Sequence, residues 1–410
     1  MLRWLKINRY RNVVPGTELT FSEGHHVLLG PNGGGKTTLL ELIAAVLRGD
    51  FSGLKEEEFS FEYQVTDGDA KLDMTLAHLR DLPSQGPSAP QWIDTMRAKF
   101  QHPDFGTSTI RLNDGRATLN GENITNSDIE VTSANIHLTI SIIADDANSS
   151  HTYDYFFSWF NVHRFDEALL FFSFLRGAGE LDGKPYVTAS RTLTSNPQHW
   201  WLSRHPLFDS IGEAIVAALK QNEDADRINI SLSSLGSLGD AIELLGFRAG
   251  TVRADLEHQV RTDSHERFTY ERFQFRFVRR DGTMVLDEHL SFGQKRLLAF
   301  LFYAWANDGP IVADELVDGM HYRWIEHCLK TIRGRQAFLS SQNPLLMDFI
   351  GFDSAEKVQQ TFVICDVEES DGRERMRWRN LTADEAGDFF TAYEVGIQHV
   401  SEILRDKGLW

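Results

Sequence analysis

The pattern of apolar and polar positions changes character along the chain. Leu5, Ile7 and Tyr10 mark a first strand and Thr17 to Phe21 a second. His25 to Leu29 is a short apolar third that runs into a glycine-rich loop. Residues 37–47, TTLLELIAAVL, then read as a helix. After Asp50 the period becomes two. Phe59–Val65 and Ala70–Leu79 predict a hairpin around Thr66-Asp67-Gly68. Thr109–Leu112 and Ala117–Leu119 predict another around Asn113-Asp114-Gly115, and residues 135–144, NIHLTISIIA, a further strand. This is a meander of antiparallel strands, not a run of strand–helix–strand units.

From Thr152 to Val260 helices are expected to dominate, broken by loops at 178–184, 194–197 and 231–240. In Phe268–Val278 the aromatics Phe273, Phe275 and Phe277 alternate with Gln274 and Arg276, which predicts a half-buried strand. From Leu290 onward the pattern is helix, apolar strand, helix, apolar strand. The tail adds a hairpin, Thr361–Val367 and Arg375–Arg379 around Asp371-Gly372. A last helix starts at Thr382, where Glu385 completes a capping box. The pattern divides the chain into 1–150, a mostly helical 151–289, and 290–410, with no internal repeat.

A length of 410 residues, 41% hydrophobic and 24% charged, is that of a folded globular protein. The oiliest stretch, residues 153–175, carries Asp154, His163, Arg164, Asp166 and Glu167, so it reads as a core or contact helix and not as a membrane span. The opening MLRWLKINRYRNV has no apolar core of a secretory signal. The two cysteines, Cys328 and Cys365, fit free thiols in a reducing cytoplasm. A net charge of −18 gives no overall attraction to nucleic acid or anionic lipid, so any DNA contact needs a local basic patch.

The candidate chemistry starts at residues 30–37: Gly30-Pro31-Asn32-Gly33-Gly34-Gly35-Lys36-Thr37, the G-x-x-x-x-G-K-[ST] phosphate loop, or Walker A. Glycines let backbone N–H groups curl around phosphate oxygens, and the helix that follows points its positive end at the same anion. Lys36 is expected on the β- and γ-phosphates, the Thr37 hydroxyl on Mg²⁺, and Asn32, Gly33, Gly34, Gly35 and Thr38 around the nucleotide. The motif lies between an apolar strand and a helix, as it must.

Two later segments narrow the choice among nucleotide-binding proteins. Leu290-Ser291-Phe292-Gly293-Gln294 precedes the helix KRLLAFLFYAWA. It resembles the LSGGQ signature of ABC ATPases, with Phe292 in place of the first glycine; an ordinary serine N-cap would read the same. Then Pro310-Ile311-Val312-Ala313-Asp314-Glu315 reads as a Walker B strand. Asp314 is expected to hold Mg²⁺ and Glu315 to orient and deprotonate the attacking water, unless both are merely solvated acids at a strand end. The order and spacing of the segments favour the joint reading. Leu316-Val317-Asp318-Gly319 resembles a D-loop, with Asp318 the matching carboxylate. His321 reads as a polar helix cap.

These residues make the chain similar to the SMC/RecF branch of ABC ATPases, and more narrowly to compact bacterial "AAA family ATP-binding proteins". The resemblance covers residues 1–48 and 286–350. It implies an α/β fold: a two-lobed ABC ATPase head, with a P-loop mixed sheet, an antiparallel β subdomain and a helical lobe. It implies ATP and Mg²⁺ as cofactors and a head-to-head homodimer or higher homo-oligomer. In that arrangement Ser291, Gly293 and Gln294 of one subunit reach the γ-phosphate held by another. Arg11 matches a basic residue that touches nucleotide in several relatives. Gln342, after the strand 337–339, stands where the family carries a switch histidine; it can donate a hydrogen bond but cannot carry a proton.

Lys36 and Ser291 lie 255 positions apart. That is wider than in transporter subunits, and the insert lacks the sustained heptads of long-armed SMC proteins. Relatives of this size include ATPase subunits of anti-phage systems (Septu, retron-associated and PARIS types), many of which work with a separately encoded nuclease or toxin, and RecF-like repair proteins. The residues leave open an ATP-hydrolysing enzyme and an ATP-held scaffold with slow hydrolysis. DNA is a further partner to test at Arg267, Arg272, Arg276, Arg279 and Arg280, which interleave with aromatics. The same residues also read as the solvated face of a sheet. Trp200 and Trp201 are a candidate partner surface or buried aromatics, Tyr186–Arg191 faintly matches a lid segment of the relatives, and His25-His26, beside the phosphate loop, reads as strand edge rather than metal ligand.

Overall fold

The computed structural model describes residues 1–81, 91–104, 106–113, 116–123, 162, 164–166, 187–192, 200–203, 209–221, 226–262, 265–370 and 372–410. They form two compact units, Met1–Val162 with Gly334–Trp410, and His163–Arg333. The expected strand at 135–144, Tyr186 and most of 153–175 lie outside the described residues.

The first unit opens with β1 (Leu2–Tyr10), β2 (Thr17–Thr20) and β3 (His25–Leu29), followed by α1 (Lys36–Arg48). The meander is β4 (Phe59–Asp67), β5 (Ala70–Asp81), β6 (Gln91–His102), β7 (Gly106–Asn113), β8 (Arg116–Leu119) and β9 (Glu122–Asn123). These strands, with β1 and β2, make one antiparallel sheet in the order β2-β1-β4-β5-β6-β7-β8-β9. Register puts Phe61 opposite Leu76, Leu76 opposite Met96 and Met96 opposite Leu112, so one face is a continuous buried ladder. Both expected hairpins occur where the turn residues place them.

The second unit contains β10 (Val187–Thr192), β11 (Trp200–Ser203), α2 (Asp209–Gln221), β12 (Arg227–Ser231), α3 (Asp240–Leu244), β13 (Ala249–Arg261), β14 (His265–Val278) and β15 (Met284–Leu286). It continues with α4 (Phe292–Ala306), β16 (Ile311–Ala313) and α5 (Tyr322–Thr331). Its sheet runs β11-β10-β14-β13-β12, with β15 beside β14. This corrects the expectation that 151–289 is mostly helical: its described residues are built on strands, with α2 and α3 added. The run ADLEHQV suits a helix locally, but β13 pairs with β14 from Ala249↔Val278 to Arg261↔Glu266, and that long ladder overrides propensity. β14 buries Phe268, Tyr270, Phe273, Phe275 and Phe277. Arg272, at φ 58°, absorbs the change of phase between Tyr270 and Phe273.

The chain then completes the first unit with β17 (Ala337–Ser340), α6 (Leu345–Asp348), α7 (Ala355–Thr361), β18 (Phe362–Ser370), β19 (Arg373–Asn380), α8 (Ala383–Val395) and α9 (Val400–Asp406). Here β3 is flanked in parallel by β17 and β18, and β19 pairs antiparallel with β18. This is the expected mixed sheet, and the N-terminal β3 is held between C-terminal strands. Val27, Leu28 and Leu29 are fully buried in it, as continuous apolar parallel strands require. The capping box of α8 forms between Thr382 and Glu385 as its spacing predicts. Among the described residues no helix is long and apolar enough to cross a membrane.

Candidate nucleotide site

Walker A is the link from β3 to α1. Gly35, at φ 83°, is the N-cap of α1, and Lys36 is its first residue. The loop lies directly on β18 and β19. A Cβ on Gly30 or Gly34 would drive into the Cys365 carbonyl oxygen, and one on Gly35 into the Met376 side chain. The Trp378 indole Nε1 donates to the Gly34 carbonyl at 3.0 Å. The motif's glycines are therefore needed for close backbone approach to a floor contributed by residues over 300 positions away. The Lys36 ammonium donates to the Gly30 and Pro31 carbonyls at 2.8 and 3.1 Å, so the cation is held over the loop. Asn32, Gly33 and Thr37 are exposed, and Thr38 is half-buried in the first turn of α1. Exposed N–H groups, a helix N-terminus and an ammonium together form an anion-binding arrangement.

Gln342 follows β17, and β17 runs parallel to β3 with Ser340 opposite Leu28. Gln342 and Walker A thus follow the same ends of neighbouring strands. Ser341 and Asn343 shape the intervening turn: Asn343 N donates to Ser341 Oγ at 2.9 Å and Leu345 N to Asn343 Oδ1 at 3.1 Å.

Arg11 is engaged by acidic neighbours. It sits at φ 43°, and its guanidinium donates to both Glu57 oxygens at 2.8 and 3.0 Å, with Glu41 of α1 at 3.8 Å. The shared hydrogen bonds lower the Glu57 carboxyl and raise the Arg11 guanidinium from their ordinary pKa values. His26 is not at a strand edge: β3 lies between β17 and β18, and the ring is fully buried, its Nδ1 2.8 Å from Gln360 O and its Nε2 3.0 Å from Ser22 O.

The second unit carries the signature, Walker B and D-loop. Ser291 is the N-cap of α4 and closes a capping box, accepting from Gln294 N at 3.4 Å while Ser291 N donates to Gln294 Oε1 at 2.9 Å. Gln294 is thereby occupied in fixing the turn. β16 is fully buried, and Val312 N donates to the Tyr303 hydroxyl of α4 at 2.9 Å. Asp314 and Glu315 follow half-buried, with Glu315 at φ 47°, while Asp318 is exposed. The signature turn and the D-loop interlock. A Cβ on Gly293 would strike the Gly319 carbonyl, and one on Gly319 would lie 2.7 Å from the Phe292 ring. His321 caps α5, as expected of a helix-start histidine.

Sequence reasoning missed one residue here. Arg296 is buried in α4, and its guanidinium donates to the carbonyls of Asp314, Glu315 and Leu316. The available signal was a charge, next to Lys295, bordering the apolar run of α4. The floor residues Cys365, Met376 and Trp378 were also missed.

The basic stripe of β14 has its aromatics buried and Arg267, Arg272, Arg279 and Arg280 exposed, with Arg272 paired to Glu257 at 3.2 Å. Its rings are built into the core and offer no stacking platform. The donors expected for Mg²⁺, the Thr37 hydroxyl and the Asp314 carboxylate, are hard oxygens suited to that ion, which is usually shared with substrate phosphates.

A family model described as "AAA domain, putative AbiEii toxin, Type IV TA system" matches residues 26–348, more than half of the chain. No curated protein matches. Among solved structures, the SMC head domain from Thermotoga maritima is similar at 12% identity and TM-score 0.35, covering 92% of this chain and 97% of that one. The Smc head domain of Pyrococcus furiosus, with an extended coiled coil and bound to the C-terminal domain of ScpA, gives 13% identity and TM-score 0.37, covering 96% and 99%. The Smc head domain of Pyrococcus yayanosii, with a coiled coil and joint, gives 12% identity and TM-score 0.36, covering 97% and 99%. With Walker A, the signature-like turn and Walker B all falling inside the matched span, the chain belongs to this AAA domain family.

Proposed function

We propose that the chain binds Mg-ATP on Walker A, hydrolyses it with Glu315 as general base, and uses the cycle to join and release a pair of copies head to head. In the joined state Ser291, Gly293 and Gln294 of one copy close on the nucleotide of the other, with Asp318 near the junction. Thr37 and Asp314 would hold Mg²⁺, which supplies charge neutralisation at the β- and γ-phosphates. Glu315 would accept the proton of the attacking water, and Gln342 would donate a hydrogen bond at the γ-phosphate. The cycle would regulate a separately encoded nuclease or toxin in the cytoplasm, in anti-phage defence. The family's description, which names a toxin of a toxin–antitoxin system, supports an effector-linked role.

The observation that carries this reading is the glycine cradle lying on the Cys365 carbonyl with Lys36 at the helix start. The test is Mg-ATP binding and phosphate release by the wild type, Lys36→Ala and Glu315→Gln. Loss of binding in Lys36→Ala and loss of turnover with retained binding in Glu315→Gln are expected. Unchanged affinity in Lys36→Ala would remove the site. A second reading, an ATP-held scaffold with slow hydrolysis, is favoured by Gln342, which cannot take up a proton. It predicts equal, near-zero turnover in wild type and Glu315→Gln. The RecF-like DNA-binding alternative predicts that duplex DNA stimulates turnover.

A further inference from the structure

We infer that Arg296 is a positioning residue for hydrolysis, linking the signature turn to the placement of Glu315; this rests on the reading of Glu315 as general base. Arg296 lies in α4, whose N-cap is Ser291. Its side chain does not go to solvent, and among the described residues it has no ion pair with a carboxylate. Instead Nε donates to Leu316 O at 3.1 Å, and one terminal nitrogen donates to Asp314 O at 3.2 Å and to Glu315 O. The guanidinium also stacks 5.2 Å from the Phe165 ring and lies 6.0 Å from that of Phe292.

Those three carbonyls belong to successive residues, and the middle one is strained. Glu315 is non-glycine at φ 47°, a conformation that persists only where its surroundings over-determine it. Its carbonyl accepts from Asp318 N at 3.3 Å as well as from Arg296. A peptide held from both sides fixes the backbone position and the Cα–Cβ direction from which the Glu315 side chain starts. A planar fork holds its donors in fixed directions along two edges, whereas an ammonium is a compact point charge on a flexible stem.

The other end of the lever is also tied down. Gly293 abuts the Gly319 carbonyl, and Phe292 covers the Gly319 Cα. A shift of the Ser291 turn, such as closure on a phosphate, must therefore be felt at Arg296 and at the Asp314–Gly319 turn. Burial lowers the guanidinium pKa, and the nearby Asp318, Glu315 and Asp314 carboxylates oppose that shift.

The test uses the full chain as wild type, Arg296→Gln, Arg296→Lys and Glu315→Gln. Thermal unfolding, Mg-ATP affinity, kcat and KM are measured for each. We expect Arg296→Gln to lower kcat by about 10- to 100-fold, as for a displaced catalytic group, with KM and ATP affinity within about twofold. Should Arg296→Gln fail to fold, Arg296→Lys carries the test. It keeps the buried cation and the fold, yet should still lose most of kcat. A merely structural role would instead make kcat follow thermal stability across the variants. Wild-type kcat in either folded Arg296 variant overturns the inference alone. Equal turnover in wild type and Glu315→Gln removes the base, and the positioning role with it.

Discussion

Two neighbouring glycines of Walker A should fail for opposite reasons, and crossing two substitutions separates the reasons. Gly33 is exposed at φ 87°, with nothing within 4 Å of an added Cβ. Gly34 has no left-handed backbone, but its added Cβ would meet the Cys365 carbonyl oxygen, with the Cys365 carbon at 3.1 Å and Pro31 O at 3.2 Å. All three are backbone atoms that no rotamer change can move. Gly33→Ala should cost only the left-handed penalty, about 1–2 kcal/mol. Gly34→Ala should cost about 1–3 kcal/mol as overpacking, towards the upper end because β18 cannot yield. If the loop yields, that cost falls on the phosphate-binding conformation and raises the Kd for Mg-ATP about 5- to 150-fold. Asparagine discriminates further. It tolerates the left-handed region, so Gly33→Asn should be milder than Gly33→Ala, whereas Gly34→Asn should be worse than Gly34→Ala. Calorimetric titration with Mg-ATP and urea unfolding of the full chain read both terms. Wild-type affinity and stability in Gly34→Ala would refute the cradle argument.

Two further outcomes follow from groups beside the loop. Burial pushes the His26 imidazole down to about 4, against the two backbone carbonyls that favour its charged form. The unfolded chain therefore binds the proton first. His26 contributes fully above its ordinary pKa of about 6.5, and that contribution is lost as pH falls from there to about 4, by at most ~3 kcal/mol. Urea midpoints at pH 7.5 and 5 should differ in the wild type and differ less in His26→Phe; equal slopes would refute it. For Arg11 to reach nucleotide, its fork must leave Glu57. Glu57→Gln should then tighten Mg-ATP binding while changing stability by less than about 1 kcal/mol, because the pair is exposed. Arg11→Ala should weaken binding. No change in either variant would show that the pair only braces the loop after α1.

What could be read from the sequence was what the chain writes locally. Walker A, its strand and its helix are contiguous, so their chemistry is visible in eight residues. The hairpins β4–β5 and β7–β8 are similarly local. Strand β6 was missed because Asp94 interrupts its inward row of Trp92, Met96, Ala98 and Phe100. That carboxylate is inward because it binds His78 Nδ1 at 2.7 Å, a partner sixteen residues away. The sheet of the second unit was hidden for a similar reason. The helix-compatible ADLEHQV becomes strand only through its pairing with β14. The phosphate-loop floor was beyond reach, since nothing around Cys365 or Trp378 announces that Gly30 and Gly34 will lie on them. Arg296 was missed for the same reason: it follows Lys295 at the head of an apolar run, and the three carbonyls that bury it come from a turn 18 to 20 residues away.

The interleaving of the chain's two ends has a consequence for how this protein comes into being. Gly34 is made well before the indole that binds its carbonyl, 344 residues further along, and β3 acquires both parallel neighbours only after Gly334. A ribosome-bound chain would therefore carry the phosphate motif through all of that intervening synthesis without the surface that shapes it. Nucleotide capture must wait until β18 and β19 have emerged. A polypeptide cut short before Trp378 should be blind to ATP however intact its Walker residues are.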